Sequence, residues 1–291
     1  MAHNYLLLAR SAKQLGCSVV LELHELRDVG EHGIPLASTY THLMMSRLAK
    51  YCDGVIVHSH ADVQAVSTQY PSLGRLPSTV IFHGPQEHGA DTAAPSTEVA
   101  ASRGRRVTSG STTPVRFLYF GVIRPYKGLA DLVTAFEILV SEGLSVHLTV
   151  AGEPWTDSEE PLAQLRSLDP THYTTYLDYL PDDKVNALFR ESNVLVAPYR
   201  RVSASGPISM AMAEGIPIVT TRLPSLIEAC DGYGGIEWAE VGDSTGLAAA
   251  MRRSIGRIGG TYHNPHDWDT NADRYLNFFA RVRPRIQATS A

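Results

Sequence analysis

The chain has 291 residues, 44% hydrophobic and 19% charged, enough for two ordinary domains with sizeable cores. A formal net charge of −5 with scattered basic residues excludes the footprint of a nucleic-acid binder. Three widely spaced cysteines (Cys17, Cys52, Cys230) suit neither a disulfide framework nor a thiolate metal site, so a reducing cytoplasm is the expected setting.

The opening MAHNYLLLARSAKQLG carries its basic residues after its apolar run, the reverse of a secretory signal. No stretch nears the ~18 apolar residues of a membrane span, although peripheral contact at the inner face of a membrane stays open. Short apolar runs then alternate with amphipathic helical patterns, the signature of a parallel sheet wound with helices. VVLEL (19–23) predicts a buried strand, and Leu36, Tyr40, Leu43, Met44 and Leu48 predict one face of a helix. GVIVHS (54–59), a short helix and TVIF (79–82) follow. From about 84 to 113 Gly, Ala, Ser, Thr and Pro dominate without periodicity, as in a linker.

Order resumes with VRFLYF (115–120) and a helix marked by Leu129, Leu132, Val133, Phe136, Leu139 and Val140. Strand VHLTVA, a helix over 163–168, a helix over 184–190, strand VLVAP, a helix near 208–213 and strand IPIVT complete the pattern. A last helix over 270–282 follows the turn-forming HNPHD. The expected fold class is α/β with two Rossmann-like domains. Residues 1–86 form a partial N-terminal domain, 87–113 a linker, 114–264 a C-terminal domain and 265–291 a closing helical segment. The first half offers three strands where such domains usually have about six. The expectation is therefore a truncated domain, a misplaced start codon, or a domain completed by a second chain.

FGVIRPYKG (120–128) ends a strand, turns tightly at Gly121 and puts Lys127 at the mouth of a helix. In open α/β sheets ligands bind at the carboxyl ends of strands. A cation there, beside a helix N-terminus worth about +0.5 charge, suits a diphosphate, and Arg124 adds a planar phosphate contact. On spacing alone both also fit ordinary loop cations. In APYRRVSASGPISMAMAEGIPIV a strand ends near Pro198 and a helix begins near Pro207. Ser205 or Gly206 is the candidate N-cap, with N–H groups free for an anion; a simple capped helix explains the same residues. Pro207 starts the helix but contributes no N–H.

In order, VVLELHE, VIVHS, VIFHG, FGVIRPYKG, VAGEPW, YLPDDKVNALF, VAPYRRVSASG and AMAEGIPIV resemble glycosyltransferase family 4 (GT-B fold), from about Gly16 to the last helix. The resemblance implies a nucleotide-diphosphate sugar held mainly by the C-terminal domain, with the acceptor facing the N-terminal one. It also implies that the segment around Trp268 crosses back to the first domain. By position, Arg124 and Lys127 would grip the diphosphate, and Ser205 and Gly206 would complete its cradle. Glu153, Tyr179 and Leu180 would lie near the nucleoside, and His24 would be the histidine near the transferred sugar. Val202 and Met210 stand where many relatives carry paired glutamates, so this chain resembles the SASG-type branch. Even there the residue after the glycine usually has an N–H, unlike Pro207. Val122 replaces a frequent arginine, with Arg124 as its substitute.

The twelve histidines show no compact ligand spacing, and no metal site is expected. Without the resemblance His24 fits a structural role; His83 is the weaker catalytic candidate. Asp267-Trp268-Asp269 spells a D-x-D triplet, but after a turn and before a helix it reads as a cap. The function implied is glycosyl transfer, with retention and without a metal cofactor. The donor is a UDP- or GDP-sugar, and the acceptor is lipid-linked, a polysaccharide or a small molecule. A non-catalytic donor-binding subunit or inactive fragment is the second reading, and a nucleotide-sugar epimerase the third.

Overall fold

The computed structural model describes residues 2–24, 37–85, 113–155 and 157–282; the linker expected over 87–113 lies outside them except for Thr113. The chain divides into two compact units, Met1–Gly84 with His266–Ala291, and Pro85–Pro265. Among the described residues no helix is long and apolar enough to cross a membrane.

In the first unit β1 (Val20–Glu22), β2 (Gly54–Val57) and β3 (Ser78–Val80) form a parallel sheet in that order. Every residue of β2 is buried, and its side chains alternate between two cores. Val55 and Val57 join Leu23, Val66 and Leu73 on one face. Helix α1 (Ala2–Gln14) is tied to the sheet by the Lys13–Asp53 ion pair at 2.7 Å. Helices α2 (Ala37–Leu48), α3 (His60–Gln69) and α4 (Pro71–Gly74) follow the chain around this core. Ser59 caps α3, its hydroxyl accepting from the Asp62 N–H.

The face expected for α2 needs correction. Met44 and Ala49 are buried, but Tyr40 and Leu43 are exposed. At about 100° per residue Met44, Met45, Leu48 and Ala49 make one stripe, Leu43 falls on its far side, and Tyr40 lies just outside its edge, about 40° from Met44. The apolar residues simply spread around more of the helix than the packing covers.

The second unit holds a six-stranded parallel sheet: β4 (Val115–Phe120), β5 (Val146–Ala151), β6 (Tyr173–Tyr176), β7 (Val194–Ala197), β8 (Ile218–Thr221) and β9 (Ile236–Ala239), in the order β6-β5-β4-β7-β8-β9. The winding reverses between β4 and β7, which makes that gap the topological switch point. Helices α5 (Leu129–Ser141), α6 (Glu159–Arg166), α7 (Asp182–Glu191), α8 (Gly206–Ala213) and α9 (Pro224–Ala229) fill the crossovers, and α10 (Ser244–Ile255) follows β9. Phe117, Phe136 and Leu148 anchor one core, and Leu118, Phe189 and Ile208 the other.

Helix α11 (Trp268–Val282) belongs to the first unit, where Phe278 and Val282 pack on Ile56 and Ile81. A Cβ on Gly54 would come within 2.6 Å of the Phe278 ring, so glycine there admits the helix. Tyr275 donates to Glu22 at 2.6 Å, and the Asn271 amide donates to the Phe82 carbonyl at 2.9 Å. The Asp267 carboxylate accepts the Thr270 N–H at 2.6 Å, so this acidic residue does cap a helix.

Glu237 on β9 accepts from Arg253 at 2.7 Å and Arg257 at 2.5 Å, joining the edge strand to α10 and the turn after it. Burial works to raise its pKa, but the two arginines prevail and hold it below the usual carboxylate value. Both arginines are well exposed, so the pair is discounted for solvent screening. Glu237→Gln is expected to cost about 1 kcal/mol at neutral pH, measured as a shift in the urea midpoint. A depressed folded pKa means this contribution is present above the unfolded carboxylate value and is lost as pH falls through the folded one. The wild-type advantage should therefore vanish in acid.

Candidate functional site

The loops after β4 and β7 meet at the switch point. β4 ends at Phe120, and Gly121 turns with φ of 119°. A short 3-10 turn, Pro125–Lys127, is closed by Gly128 in the left-handed region at φ 76°. A Cβ on Gly128 would lie 1.9 Å from the carbonyl oxygen of Pro198, just beyond β7, so only glycine lets the loops approach this closely. The Arg200 N–H donates to the Tyr126 carbonyl at 2.8 Å. The Arg200 guanidinium grips Asp131 of α5 with two bonds of 2.9 Å. The loops thus form one framework.

Three further cations stand around this framework. The guanidinium carbon of Arg124 lies 6.0 Å from the Tyr126 ring centre and 4.9 Å from that of Trp155. The Lys127 ammonium is 5.5 Å from the Tyr126 ring centre and 4.1 Å from that of Tyr199. Arg201 lies 5.0 Å from the Tyr126 ring centre. Among the described residues no carboxylate forms an ion pair with any of the three. Arg124 is only 5% exposed, and its Nη1 is buried without a hydrogen-bond partner. The Tyr119 hydroxyl, at the end of β4, is buried and unpartnered too; burial pushes its pKa well up, so it stays protonated. Buried donors left without acceptors are costly unless a ligand completes them.

Helix α8 opens at the same place. The Ser205 hydroxyl accepts from the Ile208 N–H at 3.3 Å, and the Ser205 carbonyl accepts from Ser209 at 3.1 Å. Pro207 has no N–H and Ile208 gives its own to Ser205, so in this first turn the Gly206 N–H has no hydrogen-bond partner among the described residues. The Ser205 hydroxyl also donates to Tyr199 at 3.2 Å, beneath Lys127. A Cβ on Gly121 would lie 3.7 Å from Pro207, which sets the first turn of α8 against the end of β4.

Of the predicted site residues, the fold therefore gathers Gly121, Arg124, Lys127, Ser205 and Gly206. Glu153 joins through its backbone, its carbonyl accepting from the Ile123 N–H at 2.9 Å, while its side chain is exposed. Tyr179 is 82% exposed, and Leu180 packs against the Leu118 core. Sequence reading missed Tyr126, Trp155, Tyr199 and Arg201. The adjacent Arg200–Arg201 pair was the available signal, but it reads as solvated surface until Asp131 claims one arginine and Tyr126 underlies the other.

His24 is in the first unit, two residues past β1, and exposed. Its Nδ1 is 2.9 Å from Nε2 of the buried His58, whose Nδ1 is 2.8 Å from the Ile81 carbonyl. His83 stacks on His58 with ring centres 4.3 Å apart. Burial pulls the His58 pKa down, and burial followed by the two neighbouring rings lowers His83 to about 4. Spacing along the chain gave no sign of this cluster, which the metal-free expectation therefore did not weigh.

Residues 114–256 match the sequence model of the family described as glycosyl transferases group 1. The GDP-mannose:glycolipid 4-beta-D-mannosyltransferase of Xanthomonas campestris pv. campestris is 27% identical over 110 residues, 38% of this chain and 31% of that protein. The glycogen synthase of Mycobacterium tuberculosis is 31% identical over 143 residues, 48% of this chain and 34% of that protein. The matched stretch thus spans about a third of these curated relatives. HepE of Anabaena, solved with UDP and glucose, superposes with a TM-score of 0.71 at 16% identity, covering 96% of this chain and 76% of that one. The UDP-forming trehalose-phosphate synthase of Burkholderia xenovorans gives 0.66 at 17% identity, with coverage of 96% and 72%. The chain has an α/β fold with two Rossmann-like sheets, similar to these solved structures, and its residues 114–256 are similar in sequence to the glycosyl transferases group 1.

Proposed function

We propose that this protein transfers a sugar from a UDP- or GDP-sugar to a lipid-linked, polysaccharide or small-molecule acceptor, with retention of configuration. The observation that carries this reading is the group of Arg124, Lys127 and Arg201 at the switch point, which no carboxylate neutralises among the described residues. A diphosphate supplies the anion that these donors lack. In the reaction the bond from the sugar C1 to the diphosphate oxygen breaks, and a bond from C1 to the acceptor oxygen forms. The hydroxyl proton leaves with the diphosphate. Arg124 and Lys127 stabilise the charge that grows on the leaving group, a role that oriented cations perform without reorganising. Gly121 and Glu153 shape the loop beside it, Tyr179 and Leu180 lie towards the nucleoside, and His24 contacts the transferred sugar. The related mannosyltransferase and the UDP complex of HepE support this substrate class.

Calorimetric titration with UDP, GDP and their sugar conjugates tests the donor half. One nucleotide should bind, and binding should persist in EDTA, because the proposed charge comes from side chains and not from an ion. No binding by the folded chain would remove the reading. A donor-binding subunit without transfer is the second reading. Its support is Met210, buried in the core where a sugar-contacting glutamate would otherwise stand. Donor binding without sugar transfer to any offered acceptor would favour it.

A further inference from the structure

We propose that His24, His58 and His83 form a binding site for a divalent transition-metal ion, zinc foremost. Each residue comes from a different strand of one parallel sheet, one to three positions past the carboxyl ends of β1, β2 and β3. The sheet order β1-β2-β3 sets them side by side. One ring nitrogen from each lies within 4.8 Å of the others. In tetrahedral coordination with metal–nitrogen bonds of about 2.1 Å, ligand nitrogens sit roughly 3.4 Å apart. Modest side-chain rotation closes that difference, and exposed His24 and half-buried His83 have room to make it.

The surroundings are those of a ligand set. His58 faces the Ile81 carbonyl with Nδ1 at 2.8 Å, which places the proton there and leaves the Nε2 lone pair aimed at the other rings. Such second-partner bonds fix the tautomer and orientation of metal-ligating histidines. Neither nitrogen of His83 has a hydrogen-bond partner among the described residues, so its lone pair is available. Glu22 lies 3.8 Å from His58 Nε2 and is held by Tyr275 at 2.6 Å, which sets a negative charge beside the cluster. Imidazole ligands suit zinc, copper, nickel and cobalt, and exclude the oxygen-seeking magnesium and calcium. Three protein ligands leave a position for water or substrate.

The full chain, stripped with chelator and desalted, is titrated with Zn2+ by equilibrium dialysis and with Co2+ by visible absorption. One ion per chain and the bands of a low-coordinate cobalt site are expected, with a rise in unfolding temperature on adding Zn2+. Losing a partner outside the coordination sphere typically costs about 10–100-fold in affinity, so His24→Ala and His83→Ala should each lose ~100-fold or more. Exposed His263→Ala should bind as wild type. Circular dichroism of the metal-free variants establishes that they fold. Absence of binding, or binding that survives both substitutions, overturns the site. UDP and GDP titrations of the same stripped sample report on the second unit, so the two proposals fail separately.

Discussion

Arg124→Met should abolish measurable donor binding while leaving the unliganded protein as stable as wild type, or more so. Arg124 is buried with an unpartnered Nη1 and has Lys127 and Arg201 as fellow cations around Tyr126. Methionine keeps much of the volume over Trp155 and removes the charge. A buried charge without a partner costs stability, and sites built for ligands carry such costs. Each charge-assisted bond to phosphate is worth about 1.5–3 kcal/mol, so losing a bidentate contact weakens binding by roughly 100-fold or more. Lys127→Ala, a single-point contact on a half-buried chain, should cost about 10–100-fold. Arg124→Lys should recover only part of the affinity, because an ammonium lacks the planar fork. Calorimetry with the preferred nucleotide and a urea unfolding series give both numbers for each variant. Unchanged affinity in Arg124→Met and Lys127→Ala would show that these cations do not hold the donor.

Gly128→Ala is the second large effect, and it acts on the framework. Its φ of 76° costs an L residue roughly 1–2 kcal/mol. The added carbon would also overlap the Pro198 carbonyl oxygen at 1.9 Å, a backbone atom that cannot swing aside. Overpacking of this kind adds about 1–3 kcal/mol. A total loss of roughly 2–5 kcal/mol is expected, together with weakened donor binding as the β4 and β7 loops part. Gly143→Ala is the control, since it has a similar φ of 77° and nothing within 4 Å of the added carbon. It should show the conformational cost alone and leave binding untouched. Equal losses in the two variants would mean that the close approach contributes nothing.

The interior of the larger sheet was legible because its strands are continuous apolar runs. Phe117 and Leu118, neighbours on β4, are both fully buried, since helices cover both faces. The edge strands were not legible. Tyr173–Tyr176 is half-exposed and carries two threonines, and Ile236–Ala239 buries only alternate residues. A strand that pairs on one side needs no apolar run. At the site, Arg124 and Lys127 could be picked out because strand, glycine and cation follow one another along the chain. Tyr126 sits in that same stretch, but Trp155 is brought in by the pairing of β4 with β5, and Tyr199 and Arg201 by the pairing of β4 with β7, which no local pattern encodes. The three histidines were hidden for the same reason. Each is unremarkable in its own segment, and only strand pairing makes them neighbours.

Helix α11 has a consequence for how this polypeptide is made. The first sheet is closed on one face by Phe278 and Val282, which leave the ribosome after the whole of the second unit. Domains generally fold as they are synthesised, so the second unit, with all its strands in one continuous stretch, can mature first. The first unit must meanwhile wait with Ile56 and Ile81 uncovered. The order of folding is then the reverse of the order of synthesis. In chains stalled on the ribosome before α11 has emerged, β4 and β5 should be protected from hydrogen exchange while β2 is still open.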